Sequence, residues 1–302
     1  MIPVYPNSKK LELSDRADVE RITKKFLPYS DFNFTSMWSW NVHNKMSISK
    51  LNGNLVVRFT DYQTGKPFYS FLGNNDPSGT ARALINLSKK QGLEPRLRLI
   101  PKDSIDGIDS SFIVQDDRDN FDYIFDLSKL ESYKGNDFET HRRLCNRFMH
   151  SHPNVSTKAL NLEDSIIQNS ILNLMNKWEK NKIDHGKEAR LNFELAAIKR
   201  LFSVNTKNLV SIGIFINEIM IAFCTNELLY SGWAISHFAK GNLSYKDVYS
   251  YLMQQNAKFL LKEQRHLLNY EQDLGVSGLR YSKNSFRPLY LLKKHTIQLA
   301  SK

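Results

Sequence analysis

The chain lacks the short motifs that announce a nucleotide site. No Gly-x-x-x-x-Gly-Lys run is present, which excludes a P-loop. No Gly-x-Gly-x-x-Gly follows a strand pattern, which excludes the dinucleotide fingerprint. No Gly-x-Ser-x-Gly elbow occurs either. Cysteine is scarce: Cys145 and Cys224 stand alone, outside any paired metal spacing, and speak against a structural zinc site and for a reducing compartment. His43, His141, His150, His152 and His185 show no ligand spacing, so no metal is expected. No window approaches 18 uninterrupted apolar residues, so no helix is expected to span a membrane. The start, MIPVYPNSKKLELSD, has no apolar run of the secretory kind. The expectation is a cytoplasmic protein, at most peripheral to a membrane. One further absence is local: no Asp or Glu occurs from Leu274 to the C-terminus.

What is present fits a folded, basic, two-domain chain. Its 302 residues are long for one domain, and 41% hydrophobic with 12% aromatic residues suffice for a filled core. The net charge of +11 is uneven. Residues 1–150 hold 22 basic against 19 acidic side chains, and residues 151–302 hold 20 against 12. The second half therefore carries most of the field that would draw a polyanion: nucleic acid, anionic lipid or a nucleotide-bearing cofactor.

Each half reads as helix, hairpin, strand, helix, strand. In the first, a helix runs from Ser14 to Pro28, and strands follow from Met37 around the Asn52-Gly53 turn. A helix spans 78–91, strands lie at 96–100 and 112–115, and a basic helix spans 137–150. In the second, helices at 162–180 and 190–202 precede a hairpin with Asn217-Glu218 at its turn and a strand through LLYSGWAISHFAK. Ser244 opens a helix to Lys262 with Asp247 completing a capping box. Strands at 267–270 and 290–297 close the chain. The order suggests two α/β units, 1–155 and 156–302, related by duplication, with the active site in the second.

Three segments carry chemistry. In NYEQDLGVSGLRYSKNSFRP, Glu271 and Asp273 are two apart on a strand and so share a face, which suits a cationic amine. Arg280, Lys283 and Arg287 follow at spacings of three and four and suit phosphate. In WAISHFAKGNLSYKDVYSYL, His237 and Lys240 end a strand before a helix, where α/β proteins place ligands, with Tyr245 close behind. In ETHRRLCNRFMHSH, Arg142, Arg143 and Arg147 form a basic helix that either covers an apolar stripe or contacts nucleic-acid phosphates. GNNDPSG at 73–79 reads as a loop and helix cap, with a phosphate cradle as the lesser reading.

The segments HFAKGNLSYKDVYSYL and NYEQDLGVSGLRYSKNSFRPLYLLKKH, with FDYIFDLSKLESYKGNDFETHRRLCNRF before them, resemble the DUF2156 proteins. These include the soluble catalytic domain of bacterial phosphatidylglycerol lysyltransferases. The resemblance covers about 121–295 and implies two tandem acetyltransferase-like (GNAT) units, similar in architecture to the Fem-type aminoacyl transferases. It implies transfer of an amino acid from charged tRNA to a hydroxyl or amine, on a lipid such as phosphatidylglycerol or on a soluble molecule. An aminoacyl ester is already activated, so no ATP site is needed and no cofactor is expected beyond the aminoacyl-tRNA donor. On this reading His237 accepts the acceptor's proton, and Lys283 and Arg280 stabilise charge at the ester carbonyl. Glu271 and Asp273 hold the ammonium, and Lys240, Tyr245 and Arg287 line the substrate. Arg142, Arg143 and Arg147 contact tRNA. An acyl-CoA-dependent N-acyltransferase is the alternative, although the Arg/Gln-x-x-Gly-x-Gly/Ala pyrophosphate loop is missing after the 227–236 strand. A non-catalytic module that reads RNA or an anionic surface is the other.

Overall fold

The computed structural model describes residues 1–61, 64–184, 191–204 and 206–300. His185 and the helix start expected at Arg190 lie outside them. The first elements are β1 (Lys9–Lys10), α1 (Arg16–Thr23), α2 (Phe34–Trp40), β2 (Ser47–Leu51), β3 (Asn54–Thr60), β4 (Pro67–Leu72), α3 (Pro77–Lys90), β5 (Arg96–Pro101) and β6 (Phe112–Asp116). Next come β7 (Asp122–Asp126), α4 (Leu127–Ser132), α5 (Glu139–Ser151), β8 (Val155–Leu160), α6 (Ser165–Asp184), α7 (Leu191–Leu201), β9 (Leu209–Ile216) and β10 (Ile219–Leu228). The last are β11 (Trp233–Gly241), α8 (Val248–Lys262), β12 (Leu267–Asn269), α9 (Ser277–Ser285), β13 (Tyr290–Leu292) and β14 (Lys294–Leu299).

These elements form two units. The first holds residues 1–122, 272–277 and 291–302, and the second holds 123–271 and 278–290. The junction expected at 155/156 falls inside the second unit. The reason is β8, which pairs with β9 along its whole length, from Val155 opposite Ile216 to Leu160 opposite Ser211.

In the first unit, Asn52 and Gly53 both take positive φ (53° and 83°) and close the β2–β3 hairpin as their residue types predict. Helix α3 presents Ala81, Leu84 and Ile85 to Val56, Phe71, Leu97, Ile100 and Ile297. Two of the expected elements change. The stretch from Met37 is helical, not extended, because the Asn33 side chain accepts from Ser36 N–H and caps α2. The strand expected at 290–297 divides into β13 and β14, and β14 enters the first unit between β5 and β6.

A closed charge cluster lies in this unit. Lys294 Nζ is fully buried and donates to Asp122 at 2.7 Å and to Ser30 Oγ at 3.1 Å, and it also pairs with Asp31. Ser30 N–H and Oγ–H reach Asp122 at 2.8 and 2.6 Å. Burial pushes the ammonium's pKa down, but the two carboxylates outweigh it and hold it above its ordinary value.

In the second unit the sheet runs β13-β7-β12-β11-β10-β9-β8. Asn217 and Glu218, both at positive φ (48° and 63°), turn β9 into β10. Strands β11 and β12 are parallel, as the intervening α8 requires, and pair from Trp233–Leu267 to Ile235–Asn269. Val248, Leu252, Ala257 and Leu260 bury one side of α8. The capping box expected from Ser244 does not form: the helix begins at Val248, with Asp247 as N-cap in the left-handed region.

Candidate functional site

The site is built at the fork where β11 and β12 part. Their pairing ends at Ile235–Asn269, although β11 continues to Gly241. Two residues further along each strand stand His237 and Glu271. Open parallel sheets place ligands beyond the carboxyl ends of their strands, and this fork is such a place. The pairing of β10 with β11 steps from Asn226–Ser236 to Thr225–Phe238. His237 is therefore the extra residue of a β-bulge, a device that re-aims a side chain. Glu271 is turned by its own backbone. Its φ is 56°, with its N–H held by Asn269 Oδ1 (2.8 Å) and its carbonyl by Tyr123 N–H (3.1 Å). A non-glycine residue fixed in that region stores strain, which clusters at functional sites.

The imidazole of His237 lies between two carboxylates. Nε2 is 3.4 Å from Glu227 Oε2, and Nδ1 is 3.4 Å from Glu271 Oε1. The His237 and Glu227 side chains are 1% and 2% exposed, whereas Glu271 keeps 17%. Burial alone would depress the histidine's pKa, but hydrogen bonds and charge from both glutamates overcome it and raise the value to about 9. At neutral pH the ring is an imidazolium and cannot accept a proton. The base role expected of His237 gives way to a cationic one.

Lys283 comes from α9. Its side chain is buried, donates to the Tyr270 carbonyl, and lies 5.0 and 5.6 Å from the ring centroids of Tyr270 and Tyr123. Tyr270 is the neighbour of Glu271, so the lysine reaches the backbone that presents the carboxylate. Arg280, one turn earlier on α9, is half-buried.

The remaining expected residues have other places. Asp273 belongs to the first unit, where it is fully buried, accepts from Gly275 N–H (2.9 Å) and pairs with Arg118 at 3.1 Å. The shared face expected for Glu271 and Asp273 fails because β12 ends at Asn269 and the positive φ at Glu271 breaks the alternation beyond it. Lys240 pairs with Glu194 at 2.5 Å and sits 3.8 Å from the Trp178 ring centroid. Tyr245 packs on His152 with centroids 5.5 Å apart. Arg287 is exposed, its Nε donating to the Asp137 carbonyl at 3.4 Å.

On the basic helix, Arg142 donates to the carbonyls of Tyr133 (2.6 Å) and Gly135 (3.2 Å) at the end of α4. Arg147 grips Asp247 through two bonds of 2.5 and 2.7 Å. Arg143 is exposed. Two of the three arginines thus have tasks within the fold, and the helix buries His141, Cys145 and Phe148.

The start of α3, which would suit a phosphate, already holds a carboxylate, and the N-cap residue of α8, Asp247, turns its carboxylate to Arg147. Asp76 caps α3 by accepting from Gly79 N–H at 3.0 Å, and a Cβ at Gly79 would come within 2.1 Å of that carboxylate. The glycine serves the cap rather than a phosphate. Among the described residues, no group of three or more His, Cys, Asp and Glu could hold a metal ion, and no helix is long and apolar enough to cross a membrane. Glu227 is absent from the expected set. It lies inside an apolar strand with no motif around it, and only the alignment of β10 with β11 brings it to His237.

The model of the family described as "Phosphatidylglycerol lysyltransferase, C-terminal" matches residues 24–297. A search of curated protein sequences finds no match. A conserved protein of unknown function from Bacteroides thetaiotaomicron is similar in structure, with a TM-score of 0.83 at 25% identity, over 99% of this chain and 100% of that one. L-PGS from Bacillus licheniformis gives 0.63 at 11% identity, over 100% and 95%. A tandem GNAT protein from the clavulanic acid pathway gives 0.51 at 9%, over 98% and 99%. The fold is thus the tandem GNAT arrangement that the DUF2156 resemblance implies. The chain belongs to the phosphatidylglycerol lysyltransferase C-terminal family.

Proposed function

We propose that this chain transfers an aminoacyl group from aminoacyl-tRNA to a hydroxyl or amine, with an anionic phospholipid of the phosphatidylglycerol class as the favoured acceptor. The observation that carries this reading is the pairing of His237 with Glu271 beyond the point where β11 and β12 part, with Lys283 bonded to the carbonyl of the adjacent Tyr270. The partly exposed Glu271 carboxylate is suited to the α-ammonium of the aminoacyl group. His237 faces that carboxylate at 3.4 Å and fixes its direction. The Lys283 ammonium is suited to the negative charge that develops on the ester carbonyl oxygen. The acceptor oxygen or nitrogen forms the new bond to the carbonyl carbon. The bond to the ribose oxygen breaks, and that oxygen ends with the acceptor's proton. Alignment of two bound substrates supplies much of the acceleration.

The acyl-CoA alternative loses ground on the sequence before α8, which lacks the Arg/Gln-x-x-Gly-x-Gly/Ala pyrophosphate loop.

The test is incubation with tRNA charged with labelled amino acids, in the presence of phosphatidylglycerol or phosphatidylcholine vesicles, and with labelled acetyl-CoA in parallel. Label passing from charged tRNA to phosphatidylglycerol supports the reading. Transfer from acetyl-CoA alone, or equal binding of charged and uncharged tRNA without transfer, overturns it.

A further inference from the structure

We infer that Glu227 is a positioning residue of this site: through His237 it holds the Glu271 carboxylate aimed at the ammonium of the aminoacyl donor. The inference rests on the function proposed above and adds a residue to it.

The geometry is a line of three groups, with Glu227 Oε2 on one ring nitrogen and Glu271 Oε1 on the other, each at 3.4 Å. A neutral imidazole has one N–H, so it can satisfy one carboxylate and must turn a lone pair toward the other. Only the doubly protonated ring satisfies both. Glu227 is the member that makes this form necessary, because it is buried beside the ring and has little water to turn to. The outward member, Glu271, then faces a fixed N–H donor and retains an open side for a ligand.

A purely structural ion pair would not need this arrangement. The bulge that delivers His237 breaks the β10–β11 ladder, and the positive φ that delivers Glu271 strains the chain. Both distortions place groups on the fork, whereas Glu227 sits in regular pairing opposite Ile235 and Leu209. The anchor is regular and the delivered groups are strained, as expected of a site built outward from a fixed buried charge. The charged groups around the ring are Glu227 from β10 and Glu271 after β12. Lys240, on the same strand as His237, is engaged by Glu194, and Lys283 from α9 is directed at the Tyr270 carbonyl.

The test uses the whole chain and an amide-linked lysyl-adenosine, which mimics the end of a charged tRNA but cannot transfer its amino acid. Calorimetric titration gives affinity, and nitrogen NMR of the imidazole gives the state of the ring. The ligand's own α-ammonium titrates at about pH 8, so affinity is compared at neutral pH and the ring's titration is followed by NMR, near pH 9 in the wild type. Glu227→Gln keeps the shape and removes the charge. It should lower affinity on the order of tenfold near neutral pH, the scale of one charge-assisted contact. It should also move the ring's titration to lower pH in the NMR spectrum, and Glu227→Asp should restore part of both. A wild type that binds with unchanged affinity and unchanged ring titration in Glu227→Gln overturns the inference and leaves the proposed function standing. A wild type that does not bind overturns both. Should Glu227→Gln fail to fold, the wild-type NMR spectrum decides: a ring that is neutral at neutral pH sinks the idea.

Discussion

Lys294 and His237 are both cations held by two carboxylates away from solvent, one in each unit, and they differ in what their carboxylates do next. Around Lys294, Asp122 is fully buried and also receives Ser30, and Asp31 is nearly covered, so the cluster is closed. Around His237, one carboxylate is buried and the other remains 17% exposed on a strained backbone. The same residue chemistry is sealed in one unit and partly exposed in the other. The distinguishing mark is the open carboxylate rather than the buried charge, because a buried pair alone is weak evidence of any task.

Substitutions can break this contrast. The largest effect is expected at the closed cluster. Lys294→Met leaves two carboxylates without their cation and should cost about 3–5 kcal/mol in chemical denaturation, the scale of a broken buried pair. A loss under about 1 kcal/mol would mean that the cluster is not the sealed core described.

The open cluster should show itself through pH. The folded pKa of His237, about 9, lies above the ordinary 6.5, so its contribution to stability is complete below 6.5 and is lost as pH rises toward 9. Wild-type stability should decline across that window by on the order of 3 kcal/mol relative to His237→Gln, which lacks the titrating ring. Parallel pH curves for the two proteins would remove the imidazolium from the site.

Lys283→Ala sharpens the comparison on the chemical side. It should reduce aminoacyl transfer about 100-fold or more while the circular dichroism spectrum stays native, the scale of a lost charge-stabilising donor. Full activity in this variant would remove Lys283 from the reaction. The smallest effect is at the surface. Arg143→Ala should lower the salt dependence of tRNA binding by about one phosphate contact, while Arg142→Ala should instead loosen the end of α4.

Much of the fold can be read from the chain. The hairpin turns at Asn52-Gly53 and Asn217-Glu218, the α3 stripe and the parallel step through α8 follow from residue type and spacing. His237, Glu271 and Lys283 can be named as candidates from the segments that carry them, although His237 lies inside β11 and not at its end as expected. The place of Asp273 is not legible, because period-two alternation holds only while a strand continues, and β12 ends at Asn269. Glu227 and Lys294 are illegible for a different reason. A charged residue inside an apolar strand looks like an outward-facing position until its partner arrives from far along the chain: Lys294 and Asp122 are 172 residues apart. Arg142 and Arg147 mislead in the opposite sense, since a basic stripe does not reveal which carbonyls and carboxylates already engage it.

The position of β14 has a consequence for how the polypeptide is made. Synthesis delivers β5 and β6 early, yet the strand that joins them, and the ammonium that neutralises Asp31 and Asp122, emerge only after the entire second unit. Until then two strand edges and two acids stand exposed on the ribosome-bound chain, a state prone to association with other chains. The unit begun first is completed last.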